Sequence, residues 1–121
     1  MNELKRMKTN SFLDETISFF QTQVEALATD DRTDEANFAK IQLNIFSLFS
    51  SVFSAASRYA GDNDARLCSF FREKLQQIPQ NWHSALQKAQ KHHDAERAHI
   101  EQLKLTAAEQ IHTAFDMIWE E

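Results

Sequence analysis

All five histidines of the chain, His83, His92, His93, His99 and His112, fall in its last third, beside Glu96 and Glu109. Two Glu-x-x-His pairs can be written, Glu96 with His99 and Glu109 with His112. On a helix that spacing sets a carboxylate and an imidazole on one face, where both can reach a shared ion. His92, Glu96 and His99 share a face at steps of four and three and form the best cluster, whereas the adjacent His92 and His93 point about 100° apart. The two Glu-x-x-His pairs lie some thirteen residues apart, about 20 Å by helical rise, so they cannot serve one ion.

His92-His93-Asp94-Ala95-Glu96 resembles a fragment of the His-His-x-x-Glu pattern of hemerythrin-like bundles, over these few residues alone. The resemblance implies a metal site on a helical bundle, with ligands drawn from several helices. The sequence before His83 contains no histidine, and Glu15, Glu25, Asp34, Glu35 and Glu73 sit outside the apolar stripes. A site needs three or four convergent ligands. The expectation is therefore no metal and no cofactor, with these side chains on a solvated face. His93 and Glu96 occupy positions where the helical spacing wants apolar residues, which is explained if the helix breaks at Asp94 and exposes both.

No nucleophile constellation or nucleotide loop is present, so no catalytic residue is assigned and the chain is read as non-enzymatic. Cys68 adjoins the inward position Leu67 with no histidine near it in sequence, the pattern of a buried, inert thiol. A single cysteine excludes an internal disulfide, and the start Met1-Asn2-Glu3-Leu4-Lys5-Arg6 lacks the apolar run of a secretory signal, so a reducing, cytoplasmic setting is expected. The net charge of −5 weakly repels nucleic acid and anionic membranes, and neither is expected as a partner.

The elements that must position these residues are helical. One Gly and one Pro in 121 residues leave little turn chemistry for a sheet. Residues 41–57 carry no charge yet keep a helical rhythm: Phe38, Ile41, Ile45, Leu48, Val52, Ala55 and Tyr59 form one stripe, and Phe46, Phe49, Phe53 and Ala56 a second beside it. This is read as the buried central helix, with Leu48 and Val52 fully covered. Gln42, Asn44 and the serines Ser47, Ser50, Ser51, Ser54 and Ser57 make it too polar for a membrane span.

A first helix is expected from Asn10 or Ser11, with Leu13, Ile17, Phe20, Val24 and Leu27 inward. The central helix follows, capped by Thr33 or Asp34, and runs to about Ala60, where Gly61 ends it. Asp62 or Asn63 caps a third helix with Leu67, Phe70, Phe71, Leu75 and Ile78 inward, stopped by Pro79. From Gln80 onward the chain can be one helix of about 57 Å. The fold is thus an all-α, antiparallel four-helix bundle, or five helices if the last segment breaks near Asp94. Residues 1–9 form a short, disordered basic arm, and 10–121 a single domain.

A helix of that length overhangs its neighbours, and its overhang bears Ile111, Phe115, Ile118 and Trp119. These are expected to contact a second copy, making the protein a homodimer. Of the aromatics, Phe12, Phe19, Trp82 and Trp119 lie at stripe margins or helix ends, where at least one is expected on an exposed recognition surface. The function expected is a non-catalytic protein-interaction or regulatory bundle of adaptor, immunity or inhibitor type. The alternative is metal or ligand binding through His92, Glu96 and His99, and last a lipid- or inclusion-surface protein.

Overall fold

The computed structural model describes residues 2–120, which lie in helices, in the short turns between them or, for Asn2 and Glu120, at the outer ends of the first and last helix. The helices are α1 (Glu3–Thr29), α2 (Thr33–Ala60), α3 (Asp64–Gln77), α4 (Gln80–Lys91) and α5 (Ala95–Trp119). They form an all-α bundle of four rods, the third made of α3 and α4 in series.

Each junction has a local cause. At the α1–α2 turn Asp31 adopts φ 56°, Arg32 N–H donates to the Leu27 carbonyl (2.9 Å) and Asp31 N–H to that of Ala28 (3.2 Å). The α4–α5 turn repeats this arrangement: His93 has φ 57°, with Asp94 N–H bonded to Ala89 (2.8 Å) and His93 N–H to Gln90 (3.2 Å). Both are Schellman closures, with Asp and His standing where glycine is commonest. Asp94 then accepts the Arg97 N–H and starts α5, so the last segment does break there. Gly61 ends α2 at φ 55°, ψ −122°, and Asn63 caps α3 by accepting the Arg66 N–H. Pro79 has no N–H to give and separates α3 from α4 without reversing the chain.

Ring contacts fix the packing directions. Phe12 and Phe20 of α1 meet Phe46 of α2 at 6.2 and 5.5 Å between centroids, and Phe53 of α2 meets Phe71 of α3 edge-on at 5.3 Å. The helices α2 and α5 run parallel, with Phe38 against His99 near their starts and Phe53 against Phe115 near their ends. The core is aromatic: Phe46, Phe49, Phe53, Phe71 and Phe115 are all buried, with Leu13, Leu67 and Ile111 filling between them.

Three sequence expectations are corrected here. First, α1 starts at Glu3 rather than near Ser11, so the residues expected as a loose arm are helical. Asn2 caps the helix through the Lys5 N–H, and its own N–H donates to Asp64 (2.6 Å). Arg6 donates to the Gly61 carbonyl (2.6 Å) and to Asp64 (3.2 Å), Lys5 to the Trp119 carbonyl (3.3 Å), and the Trp119 indole N–H to the Thr9 hydroxyl (2.9 Å). These tertiary partners order a turn whose apolar residues, Leu4 and Met7, face solvent. Met1 and Glu121, the outer ends of the expected segments, lie outside the described residues.

Second, α2 begins at Thr33 after Arg32, without a side-chain cap. Third, the covered face of α2 is the second stripe together with Ile45 of the first. Phe46, Phe49, Phe53 and Ala56 are buried, whereas Leu48 is 38% and Tyr59 61% exposed and Val52 only half-buried. Both stripes keep helical spacing, and the neighbours chose between them.

Candidate interaction surface

The half-open stripe of α2 is the most unusual surface of the molecule. Leu48, Val52, Ala55 and Tyr59 follow at steps of four, three and four and so share one face. Between Lys40 and Arg58 the solvent side of the helix offers only uncharged groups, including Asn44, Leu48, Ser51 and Ser54. A solvated helix face normally carries charge; depletion of charge marks the centre of a protein–protein interface. No helix of the described residues is long and apolar enough to cross a membrane, so the stripe is not a span.

At its C-terminal end the stripe meets α3. The tight turn at Gly61 and the Asn63 cap return the chain antiparallel, which lays Phe70 against Tyr59 at 5.2 Å with 36° between the rings. The Arg66 guanidinium lies 5.7 Å from the Tyr59 ring centre, and Lys74 Nζ lies 5.4 Å from that of Phe70. The two rings therefore form a platform edged by two cations.

The residues expected as the interface are used elsewhere. Ile111 and Phe115 are each 2% exposed in the chain's own core, Phe115 stacking on Trp119 and lying 4.7 Å from Phe71. Trp119 is tied to Thr9, and Ile118 is half-buried. The expected overhang does not exist. Because the chain turns back at His93, α5 has 25 residues against 27 and 28 for α1 and α2, and the first turns of α1 cover its end.

The histidine cluster is divided as well. His92 ends α4, His93 takes the left-handed turn and Glu96 opens α5, all exposed, while His99 packs edge-on to Phe38 at 4.6 Å. Among the described residues no group of three or more His, Cys, Asp or Glu converges on a point an ion could occupy. His83, Glu109 and His112 line a groove of about 540 Å³ between α3–α4 and α5, floored by Leu75, Pro79, Leu86, Leu105 and Ala108. There His112 pairs with Asp116 at 3.3 Å, one turn along its own helix. A second groove, of about 510 Å³, runs between α1 and α5 over Phe12 and Phe46.

Of the marginal aromatics, Phe19 is 56% exposed, while Phe12, Trp82 and Trp119 pack against the core. Cys68 is half-buried beside Lys5, Asp64 and Trp119; burial raises its pKa, and Arg72 pulls the other way. The residue that sequence reasoning missed is Glu101. It is 1% exposed, with Arg97 Nε at 3.2 Å and Lys104 Nζ at 3.3 Å on Oε1. Its Oε2 has no partner among the described residues. A signal existed in the spacing of Glu101 to Leu105 and Ala108, both buried on the same side of the helix.

Fold and surface together define an antiparallel helical bundle with one uncharged, partly apolar flank. No protein family, characterised protein or solved structure matches the chain.

Proposed function

We propose that the protein is a non-catalytic interaction module that offers the outer face of α2, with the adjoining part of α3, to another protein. The observation that carries this reading is the exposed face of α2, charge-free from residue 41 to 57, on which Leu48 and, just beyond Arg58, Tyr59 stand open to solvent in a chain where 26% of residues are charged. Leaving such a face in water forgoes burial that a partner supplies. Exposed tyrosine beside arginine is also the composition of interface hot spots.

The metal-binding alternative through His92, Glu96 and His99 draws no support from the geometry, since the α4–α5 turn divides the three between two helices and they do not converge on one point. The test is a photocrosslinking residue placed at Leu48 or Ser51 in the source cells, with Gln87 of α4 as the control position. Discrete adducts from α2 and none from α4 are expected, and an adduct of twice the chain mass would identify a second copy as the occupant. Absence of adducts from α2, or equal labelling from α4, removes the reading.

A further inference from the structure

We propose that the Tyr59–Phe70 platform receives an acidic segment of a partner protein, whose carboxylates pair with Arg66 and Lys74 while its apolar side chains cover the rings and run on towards Leu48. This rests on the reading of the α2 face as an interaction surface and adds the chemistry of the occupant.

The argument is one of charge complementarity. The chain has 18 acidic and 13 basic residues, so carboxylates are in excess, and several of the cations hold one. Arg6 holds Asp64, Arg32 holds Glu35, Arg72 reaches Asp116 and Glu120, and Arg97 and Lys104 share Glu101. Among the described residues Arg66 and Lys74, like Lys40, Arg58, Lys88 and Lys91, have no acidic partner, and of these six only Arg66 and Lys74 lie over rings. Of the carboxylates on α3 itself, Glu73 accepts from the Gln77 amide at 2.9 Å, and Asp64 accepts from Asn2 and Arg6. A ring face leaves the outer N–H donors of a cation unsatisfied by protein, where they can bond an incoming carboxylate.

The rings set the second half of the specificity. Tyr59 is 61% exposed although it stacks on Phe70, and Ala55 and Val52 continue the apolar surface one and two turns back. A segment with carboxylates on one side and apolar groups on the other matches this layout. Nucleic acid also joins anionic charge to flat rings. A long polyanion, however, meets the field of a chain whose net charge is −5, whereas a short peptide segment interacts mainly within a Debye length, about 8 Å at physiological salt.

Tyr59 is the sole tyrosine of the chain, so biosynthetic 3-fluorotyrosine gives the full-length protein a single ¹⁹F resonance on the platform. Three synthetic amphipathic peptides, sharing a Leu/Phe face and carrying Glu, Gln or Lys on the other, are titrated against it, together with a single-stranded DNA oligonucleotide. The Glu peptide is expected to shift the resonance saturably and the Lys peptide not to. The double substitution Arg66→Glu, Lys74→Glu, checked for native circular dichroism, should weaken the Glu peptide by at least about tenfold and admit the Lys peptide.

Equal binding of the Gln or Lys peptide overturns the acidic partner, as does tighter binding of DNA. A shift that depends on protein concentration alone overturns it in favour of a second copy. Silence of the platform towards all three peptides, with adducts still forming from Leu48 or Ser51, defeats this proposal and spares the interaction surface. Silence with no adducts defeats both.

Discussion

Lys104 Nζ and Arg97 Nε grip the same oxygen of Glu101, at 3.3 and 3.2 Å, and leave the carboxylate's other oxygen buried without a donor among the described residues. One charged group has thus been taken out of water for partners that satisfy half of it. The two cations remain in contact with water, Arg97 being 58% and Lys104 25% exposed, so releasing them costs little.

Glu101→Met should therefore be neutral or stabilising by about 1–4 kcal/mol, because a thioether of similar volume needs no donors there. Lys104→Met should cost about 1–3 kcal/mol, since it strips a buried acceptor of one partner and leaves the charge in place. Urea denaturation of the two variants beside the wild type measures both. A Glu101→Met variant less stable by more than about 2 kcal/mol would mean that the carboxylate holds the helices together.

What the sequence made legible was the chemistry of chain breaks. Gly61, Asn63, Pro79 and Asp94 each act through their own backbone or first-turn contacts and mark their positions locally. The start of α1 is not local. It depends on Asp64 and Trp119, 62 and 114 residues away from the groups they bind, and Leu4 and Met7 carry no inward periodicity to announce it. The two stripes of α2 are both helical, and which one is covered depends on where α1, α3 and α5 sit. Glu101 was missed for a different reason: its spacing to Leu105 and Ala108 marks an inward position, but a carboxylate there reads as an outward-facing residue until Arg97 and Lys104 are seen to converge on it. The candidate surface was legible only as a charge-free segment. Its exposure, and the pairing of Tyr59 with Phe70, required the packing.

The choice between the stripes has an energetic signature. Phe53 is 1% exposed and touches Phe71 and Phe115, so Phe53→Ala should cost about 3–5 kcal/mol through lost burial and the cavity left behind. Leu48, open to solvent, should cost below about 1 kcal/mol when changed to Ala. Chemical denaturation of the pair decides the matter; a Leu48→Ala loss as large as that of Phe53→Ala would place the covered face on the wrong side of α2.

Two turns store opposite backbone preferences. Gly61 at φ 55°, ψ −122° occupies a region that L-residues avoid, and a Cβ added there meets nothing within 4 Å. Gly61→Ala should thus cost about 1–3 kcal/mol from backbone strain alone, without displacing a neighbour. His93 at φ 57° is an L-residue in a glycine position. His93→Gly should gain about 0.5–1 kcal/mol, the left-handed penalty less the extra entropy a glycine loses on folding. Thermal melts of the two variants should move in opposite directions. Movement the same way would contradict the turn geometry.

Cys68 supplies the pH dependence. Burial disfavours its thiolate and raises the pKa, with Arg72 the largest opposing influence. A raised pKa in the folded state means that the contribution to stability is fully present below the ordinary thiol range and is lost as pH rises through the folded value. Iodoacetamide should therefore modify Cys68 more slowly in the native protein than in the urea-unfolded chain at pH 8, and the native rate should inflect at higher pH. Arg72→Gln should move the inflection higher still, because the largest of the charges that favour the thiolate is gone while the burial remains. Coincident rate profiles for native and unfolded chains would show the thiol to be solvated like a free cysteine.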